Sequence, residues 1–268
     1  MKLRPGTSKL LIGSTAFLIG TAGFTTHVST AHAFQAGVTP QGHAASAPTS
    51  AAPVASTVTT RAKAAFSALS STVRKLSDPH ALTNAFNSYF AFKAAHPDQV
   101  KKPYLYFVDF GLPNTQPRGY VFDMSSLKIV DGPFTVAHGR GSSSGRSSIP
   151  TRFSNAFGSA ATSLGLYVAK ATYAFHGHSG GRPYQSIGLK LAGVSKGFND
   201  NALSRGVVAH GAPYVTPNRA GMSKGCPAME PARAQSLLPK LADGGMVFLF
   251  APDSKWMSRD QWIDAGSN

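Results

Sequence analysis

Cys226 and His210 have the residue types and the spacing that a covalent reaction needs. Cys226 is the only cysteine of the 268-residue chain, and it lies in the glycine-containing segment 221–227. A thiol nucleophile needs a base that makes the thiolate and donors that hold an oxyanion. His210 follows the apolar run 206–209 and precedes Cys226 by 16 positions. The pair predicts a thiol nucleophile that an imidazole base activates.

Glycine and histidine residues near this pair extend the candidate site. Gly225 allows a second backbone to approach Cys226 closely, and backbone N–H groups near these two residues are the predicted oxyanion donors. His176 follows a strand candidate and is favoured as a residue that lines the site. His138 and His178 occupy similar positions, and we expect them to be loop or packing histidines.

A zinc site is a weaker interpretation of the same histidines. The spacing of His176, His178, His210 and Cys226 is not diagnostic of zinc, and the sequence contains neither HExxH nor CxxC. We therefore expect neither a metal ion nor another cofactor.

Two other catalytic classes fit the sequence less well. Segments 221–225 and 141–145 both match Gly-x-Ser-x-Gly, the serine-esterase motif, which needs a buried strand before it and a helix after it. A polar turn precedes the first match, and the second lies in a Gly/Ser loop. A glycosidase needs two placed carboxylates, whereas Glu230 is the only glutamate and no aspartates form an obvious pair.

The N-terminus has the pattern of an export signal. Lys2, Arg4 and Lys9 precede the apolar run 10–24, and small residues occupy the −3 and −1 positions of a cleavage site after Ala33. The run is short for a membrane span, so a cleaved signal is favoured over an uncleaved anchor. We expect export to the periplasm or cell envelope, with no stable membrane insertion after cleavage.

The charge of the chain indicates an acidic partner. The net charge is +15, from 26 basic and 11 acidic residues, and removal of the three basic residues of the signal lowers it to +12. Such a protein favours anionic polymers. No block of five basic residues is present, so we expect no nucleic-acid partner. An anionic cell wall is the expected partner.

Composition divides the rest of the chain. Residues 34–76 form a predicted linker rich in Ala, Ser, Thr and Pro, which we expect to be disordered to about residue 60, with a short helix in 61–76. A clearer helix opens at Asp78-Pro79, with Pro79 at its first position, and ends at His96-Pro97. The predicted catalytic domain covers 77–253, and a C-terminal tail covers 254–268.

The predicted domain is rich in short strands. Aromatic and β-branched runs separated by Gly and Pro turns indicate a mostly β, α+β fold with few helices. One further helix is predicted at 230–241. The predicted strands are 104–110, 118–124, 128–130, 134–137, 166–169, 172–175, 187–191, 206–209 and 246–250.

The segment between His210 and Cys226 matches a known signature. His210-Gly211-Ala212, followed by Ser223-Lys224-Gly225-Cys226, resembles the L,D-transpeptidase (YkuD-like) family, in which a His precedes Ser-His-Gly-Cys. An ordered series of motifs over residues 85–252 is similar to the murein L,D-transpeptidase catalytic-domain branch. These motifs are His138-Gly139-Arg140-Gly141, Phe153-Ser154-Asn155, Ser163-Leu164-Gly165, Tyr173-Ala174-Phe175-His176-Gly177, Asn199-Asp200-Asn201-Ala202-Leu203-Ser204-Arg205 and 223–228.

The resemblance implies a YkuD-like β-sandwich or barrel and a cysteine acyl-enzyme. Cys226 would attack the carbonyl between the third residue and D-Ala of a peptidoglycan stem, and an amine of another stem would resolve the thioester. His210 would be the base, oriented by the carbonyl of Gly211, and Gly225 would belong to the catalytic loop. The implied substrate-binding residues are Asn155, Tyr173, His176, Arg205 and Ser223.

The chain also departs from the classical family pattern. Lys224 stands where classical members have His, and Pro227-Ala228 stands where they have an apolar residue and Arg. Arg205, Arg219 or Arg140 is the candidate replacement for that arginine as a carboxylate clamp.

Three other functions stay open at this stage. Water in place of the amine would make the protein an L,D-carboxypeptidase. A non-catalytic wall-binding protein is a second alternative. A sortase-like transpeptidase is disfavoured, because it needs a longer gap from His to Cys and an arginine after Cys226; Arg233 lies on a predicted helix.

Overall fold

An eight-stranded mixed sheet carries the fold in the computed structural model, which describes residues 52–144 and 148–263. The helices are α1 (Ala52–Leu69), α2 (Ala81–Ala95), α3 (Pro231–Leu241) and α4 (Ser254–Met257). The strands are β1 (Tyr104–Asp109), β2 (Gly119–Asp123), β3 (Lys128–Phe134), β4 (His138–Gly139), β5 (Gly165–Ser179), β6 (Arg182–Gly193), β7 (Val208–Gly211), β8 (Val215–Thr216), β9 (Arg219–Ala220), β10 (Met222–Ser223), β11 (Ala228–Met229) and β12 (Met246–Phe250). The predicted signal peptide and residues 34–51 of the predicted linker lie outside the described residues.

The large sheet has the strand order β11-β7-β6-β5-β12-β1-β2-β3. Strands β1 and β12 pair in parallel, as do β7 and β11, and the other neighbours are antiparallel. Two small sheets, β4–β10 and β8–β9, complete the strand set within the described ranges. The prediction of a mostly β, α+β fold with few helices is confirmed.

The core lies around the central strands. Every residue of β12 is buried, and β1 and β2 each have a single residue that is not. Such continuous burial is typical of strands covered on both faces. Helix α2 packs against β12, β1 and β5, and α3 packs against β6 and β7. Helix α3 therefore packs against one face of the sheet half that contains β7 and β11.

Helix α1 corrects the prediction of a disordered spacer that extends to residue 60. Val58, Ala62, Ala65 and Leu69 are buried, and α1 packs against α2. Their spacing of four, three and four residues forms one helical stripe, so even a low-hydrophobicity segment can bury a face. The helix expected within 61–76 therefore begins earlier, at Ala52.

The predicted C-terminal tail also contains ordered structure. Trp256 of α4 is buried against Phe248 and Phe250, and its indole N–H donates to Asp260 at 2.7 Å. An indole buries a large apolar area when its N–H finds an acceptor, which explains why α4 stays on the domain. In the part of the chain that is described, we find no helix of the length and apolarity that a bilayer span requires.

Several element boundaries differ from prediction. Strands predicted at 166–169 and 172–175 are one strand, β5, interrupted by an irregularity in pairing between Ala169 and Thr172. Helix α2 begins at Ala81, so Pro79 lies in the preceding turn rather than at the first helical position. The strand predicted at 134–137 is divided between the end of β3 and an isolated bridge from Ala137.

Candidate active site

The parallel pair β7–β11 brings His210 next to the cysteine loop. His210 pairs with Ala228, and its backbone N–H donates to the Pro227 carbonyl at 3.3 Å. Cys226 lies immediately before this contact. The side chains of His210 and Cys226 line the same cleft, which has a volume of about 490 Å³. The two residues singled out from the sequence therefore share one site.

Close backbone packing fixes the loop that carries the cysteine. Strand β10 pairs with β4, and a Cβ atom on Gly139 would lie 2.7 Å from the Gly225 Cα atom. Gly225 has a φ of +124°, and a Cβ atom there would lie 2.9 Å from the Ala161 carbonyl oxygen. The close approach predicted at Gly225 is present, and it constrains the backbone of the turn that carries Cys226.

Ser223 ties the two ends of this turn together. Its hydroxyl donates to the Cys226 carbonyl at 2.7 Å and accepts from the Gly225 N–H at 3.1 Å. Ser223 is buried, so both backbone groups depend on this hydroxyl rather than on solvent. The Gly225 N–H is thereby occupied and differs from the free oxyanion donor that the sequence suggested.

His210 is held in one tautomer. A carbonyl oxygen only accepts, so Nδ1 of His210 carries the proton that is donated to the Gly211 carbonyl at 3.0 Å. Nε2 is then left with its lone pair, which is the state a general base requires. The ring also stacks on Phe175, with 4.2 Å between centroids and an interplanar angle of 18°.

Burial sets the protonation states of the pair. It lowers the pKa of His210 to about 4, against the opposing effect of the Gly211 hydrogen bond. Burial also raises the pKa of the Cys226 thiol, although a hydrogen bond from the Val208 backbone and the charge of Arg205 act in the other direction. Neutral imidazole and neutral thiol are therefore the resting forms near pH 7.

Aromatic side chains surround the imidazole. Phe175 and Tyr184 from the β5–β6 hairpin line the cleft, together with Tyr214. The rings of Tyr184 and Tyr214 meet edge to face, with 6.4 Å between their centroids. Tyr173 stands beside Phe175 at 6.2 Å between ring centroids, although it lines neither cleft at the cysteine. In the sequence, Tyr173 and Phe175 belong to the family motif at 173–177, whereas none of the motifs includes Tyr184 or Tyr214.

Cationic side chains lie on the other side of the cysteine. A second cleft, of about 270 Å³, also reaches Cys226. Arg140, Arg205 and Lys224 line both clefts. The guanidinium of Arg205 is anchored by Ser154, Ser159, Ala161 and Ser163, whose oxygens all accept from its two terminal nitrogens.

Some of the remaining predicted residues line the larger cleft, and Asn155 does not. His176 and Ser223 line the larger cleft, and so does His178, which was expected to be a loop or packing residue. Asn155 lines neither cleft. Its amide N–H donates to Asp200 at 2.6 Å, and its oxygen accepts from the backbone of Asn201 at 3.1 Å. The amide of Asn155 therefore joins two loops.

His138 is buried as a packing residue, in the role expected of it. The guanidinium of Arg118 only donates, so Nδ1 of His138 accepts from it at 2.9 Å, and Nε2–H donates to Ser143 at 2.6 Å. Burial, and then the charge of Arg118, lowers the pKa of His138 to about 3. Over residues 52–144 and 148–263, no three His, Cys, Asp or Glu side chains come together as a metal site would need.

Comparison with known proteins gives a family match. The family model of the L,D-transpeptidase catalytic domain matches residues 74–250, more than half of the chain. A search of curated proteins gave no match.

Solved L,D-transpeptidases are similar at low identity. One from Mycobacterium smegmatis is 15% identical, with 56% of this chain and 59% of that chain covered and a TM-score of 0.35. One from Stackebrandtia nassauensis is 16% identical, with coverages of 63% and 65% and a TM-score of 0.35. One from Mycobacterium tuberculosis is 15% identical, with coverages of 55% and 57% and a TM-score of 0.32. This chain spans less than two thirds of each of them. On the family match, the chain belongs to the L,D-transpeptidase catalytic domain family.

Proposed function

We propose that this protein is a peptidoglycan L,D-transpeptidase that works through a cysteine acyl-enzyme on tetrapeptide stems, releasing D-Ala and forming crosslinks. One observation carries the proposal: Cys226 shares a cleft with His210, whose Nδ1–H is committed to Gly211, so that Nε2 is free to accept a proton. Substrate class and crosslinking come from the family to which the chain belongs.

Acylation follows from the neutral resting pair. As the Cys226 sulfur attacks the carbonyl between the third residue and D-Ala, Nε2 of His210 takes the thiol proton. The backbone N–H of Cys226, which donates to no acceptor within the described ranges, is the proposed donor to the oxyanion. His210 then gives its proton to the departing amine, the C–N bond breaks, and D-Ala leaves a thioester on Cys226.

Deacylation reverses these roles. An amine of a second stem attacks the thioester, His210 takes the amine proton, and the C–S bond breaks as His210 passes that proton to the sulfur, which restores the thiol. Water in place of the amine would give a tripeptide, which is the L,D-carboxypeptidase alternative. Stacking on Phe175 and the Gly211 hydrogen bond keep the ring in place through both half-reactions.

We also propose that the reaction takes place in the periplasm or cell envelope. The predicted signal peptide supports export, and the basic character of the chain suits an anionic wall.

The direct test is incubation of the purified protein with disaccharide-tetrapeptide, with D-Ala release and product mass as readouts. A crosslinked dimer is expected, whereas tripeptide alone would identify a carboxypeptidase. Cys226→Ala and His210→Gln are each expected to lose D-Ala release. His80→Gln is the matched control, because the His80 side chain is 74% exposed and lies outside both clefts. Full activity of Cys226→Ala would refute the mechanism.

A carbapenem provides an independent test. The thiol should open the lactam and give a mass increase equal to the whole inhibitor, located on the peptide that contains Cys226. An unchanged intact mass after incubation, together with the absence of D-Ala release, would favour the non-catalytic wall-binding alternative.

A further inference from the structure

The two clefts that meet at Cys226 differ in one chemically important respect. The larger cleft contains His210 and the aromatic wall. The smaller one contains Phe157 and Ala160 but not His210. A substrate bound with its carbonyl at the sulfur would therefore extend into two different environments.

The charge at the junction of the clefts is positive and uncompensated. Neither cleft has an Asp or Glu among its lining residues. Arg140, Arg205 and Lys224 form no ion pair with any acidic group of residues 52–144 or 148–263. Three converging cations without a counter-charge form a site for an anion.

Arg205 distinguishes this cluster from ordinary surface cations. It is partly buried, and burial lowers its pKa. Its four hydrogen bonds go to hydroxyl and carbonyl oxygens, which leave its charge unpaired. The loop that contains Ser154 and Ser163 thus holds a fixed positive charge beside the sulfur, while the exposed Arg140 and Lys224 are free to close on a ligand.

The position of His210 decides which part of the substrate lies in each cleft. The departing D-Ala amine and the incoming amine both exchange a proton with Nε2 of His210, so both belong in the cleft that His210 lines. The acyl chain, on the other side of the reacting carbonyl, must then extend into the smaller cleft. The cationic residues of the smaller cleft are Arg140, Arg205 and Lys224.

We propose that Arg140, Arg205 and Lys224 form a carboxylate-binding subsite for the acyl chain of the stem. This inference rests on the proposed function and adds a substrate class, namely stems that carry a free carboxylate close to the reacting carbonyl. Two sources share this chemistry: the α-carboxylate of a γ-linked D-Glu at the second position, and the side-chain carboxylate of diaminopimelate at the third.

The experiment compares kcat/KM for tetrapeptide stems in which one carboxylate at a time is converted to an amide. Amidation of the second or of the third residue identifies the source. At least one of these changes should lower kcat/KM by about 10-fold to 100-fold, the range for a hydrogen bond to a charged group. Amidation of the terminal D-Ala carboxylate is the comparison, because D-Ala leaves through the cleft that contains His210.

Two variants assign the effect to residues. In Arg140→Gln and in Lys224→Met, the ratio between free and amidated stems should fall several-fold towards one. Both side chains are exposed, so folding is retained. Lys240→Met is the matched control, since Lys240 is an exposed lysine of α3 outside both clefts, and it should keep the wild-type ratio.

Three results would overturn the subsite: equal rates on all the stems, a loss confined to the terminal amide, or variants that slow every stem by the same factor. Calorimetry with Cys226→Ala measures binding of the free or amidated tripeptides without catalysis, so it tests the subsite by itself. Preferential binding of the free carboxylate would support the subsite even if no stem were turned over, in which case the proposed function alone would fail. Equal binding would overturn the subsite.

Discussion

Removal of the Ser223 hydroxyl tests how the cysteine loop is held. In Ser223→Ala, the Cys226 carbonyl loses a donor at 2.7 Å, and the Gly225 N–H loses an acceptor at 3.1 Å. Both groups belong to the turn that presents the nucleophile. Because Ser223 is 7% exposed, water replaces the hydroxyl poorly.

The expected cost follows from these two contacts. Each hydrogen bond contributes about 1 kcal/mol, and a buried group left without a partner adds to the loss, so the free energy of unfolding should fall by about 2–3 kcal/mol. For a domain of this size, that change lowers Tm by about 4–12 °C. A displacement of the sulfur by about 1 Å should reduce kcat by about 100-fold.

Calorimetric melting and D-Ala release measure the two effects, and Ser223→Thr, which keeps the hydroxyl, is the matched variant. Carbapenem labelling of Ser223→Ala should still occur on Cys226, only more slowly. Wild-type Tm and kcat in Ser223→Ala would refute this account of the loop. Adduct formation on Ser223 in the wild type would instead support the serine-esterase interpretation of segment 221–225.

Three further outcomes follow from the surroundings of the two histidines. Since the pKa of His210 is lowered to about 4, kcat/KM should lose its base only as the pH falls through about 4, and an acid limb centred near 6.5 in the pH profile would contradict this. The folded chain keeps His138 neutral to about pH 3, whereas the unfolded chain takes up its proton below about 6.5, so Tm should fall between pH 6.5 and 4 and the slope should be shallower in His138→Gln. Phe175→Ala removes the ring stacked on His210 and should lower kcat about 10-fold, while Phe175→Tyr should keep most of it; equal rates for these two variants would exclude a role for the stack.

The sequence predicted the elements that are strongly patterned. Strand β12 has the predicted bounds, and β1 differs by one residue, because dense aromatic and β-branched runs leave little alternative to a buried strand. Strands were also predicted at 118–124 and 128–130, and they form the β2–β3 hairpin, whose turn Asp123 fixes by accepting from the backbone of Ser125 and Ser126.

Elements that depend on tertiary contacts were predicted poorly. Helix α1 has few large apolar residues, and its buried stripe is recognisable only once α2 supplies the opposing surface. The irregularity between Ala169 and Thr172 resembles a break between two strands in the sequence, although pairing with β6 continues through it. Trp256 was assigned to a tail because nothing local shows that Phe248 and Phe250 lie beneath it.

The candidate site also contains some residues that the sequence predicted and others that depend on tertiary contacts. Cys226 and His210 could be selected because a lone thiol and a strand-terminal imidazole are rare residue types in suggestive positions. The contributions of Tyr184 and Tyr214 depend on the pairing of β5 with β6 and on the loop after β7, which composition does not encode. No sequence motif indicates that two clefts of different composition meet at the Cys226 sulfur.

Strand β11 is only two residues long and ends the order of the main sheet, held by β7 and by a single bridge between Ala137 and Ala228. Short terminal strands fray at a lower free energy than the centre of a sheet. Fraying here would separate the thiol from its base while most of the molecule stayed folded. Thermal inactivation should therefore precede melting, and amide hydrogen exchange at β11 should be faster than at β12.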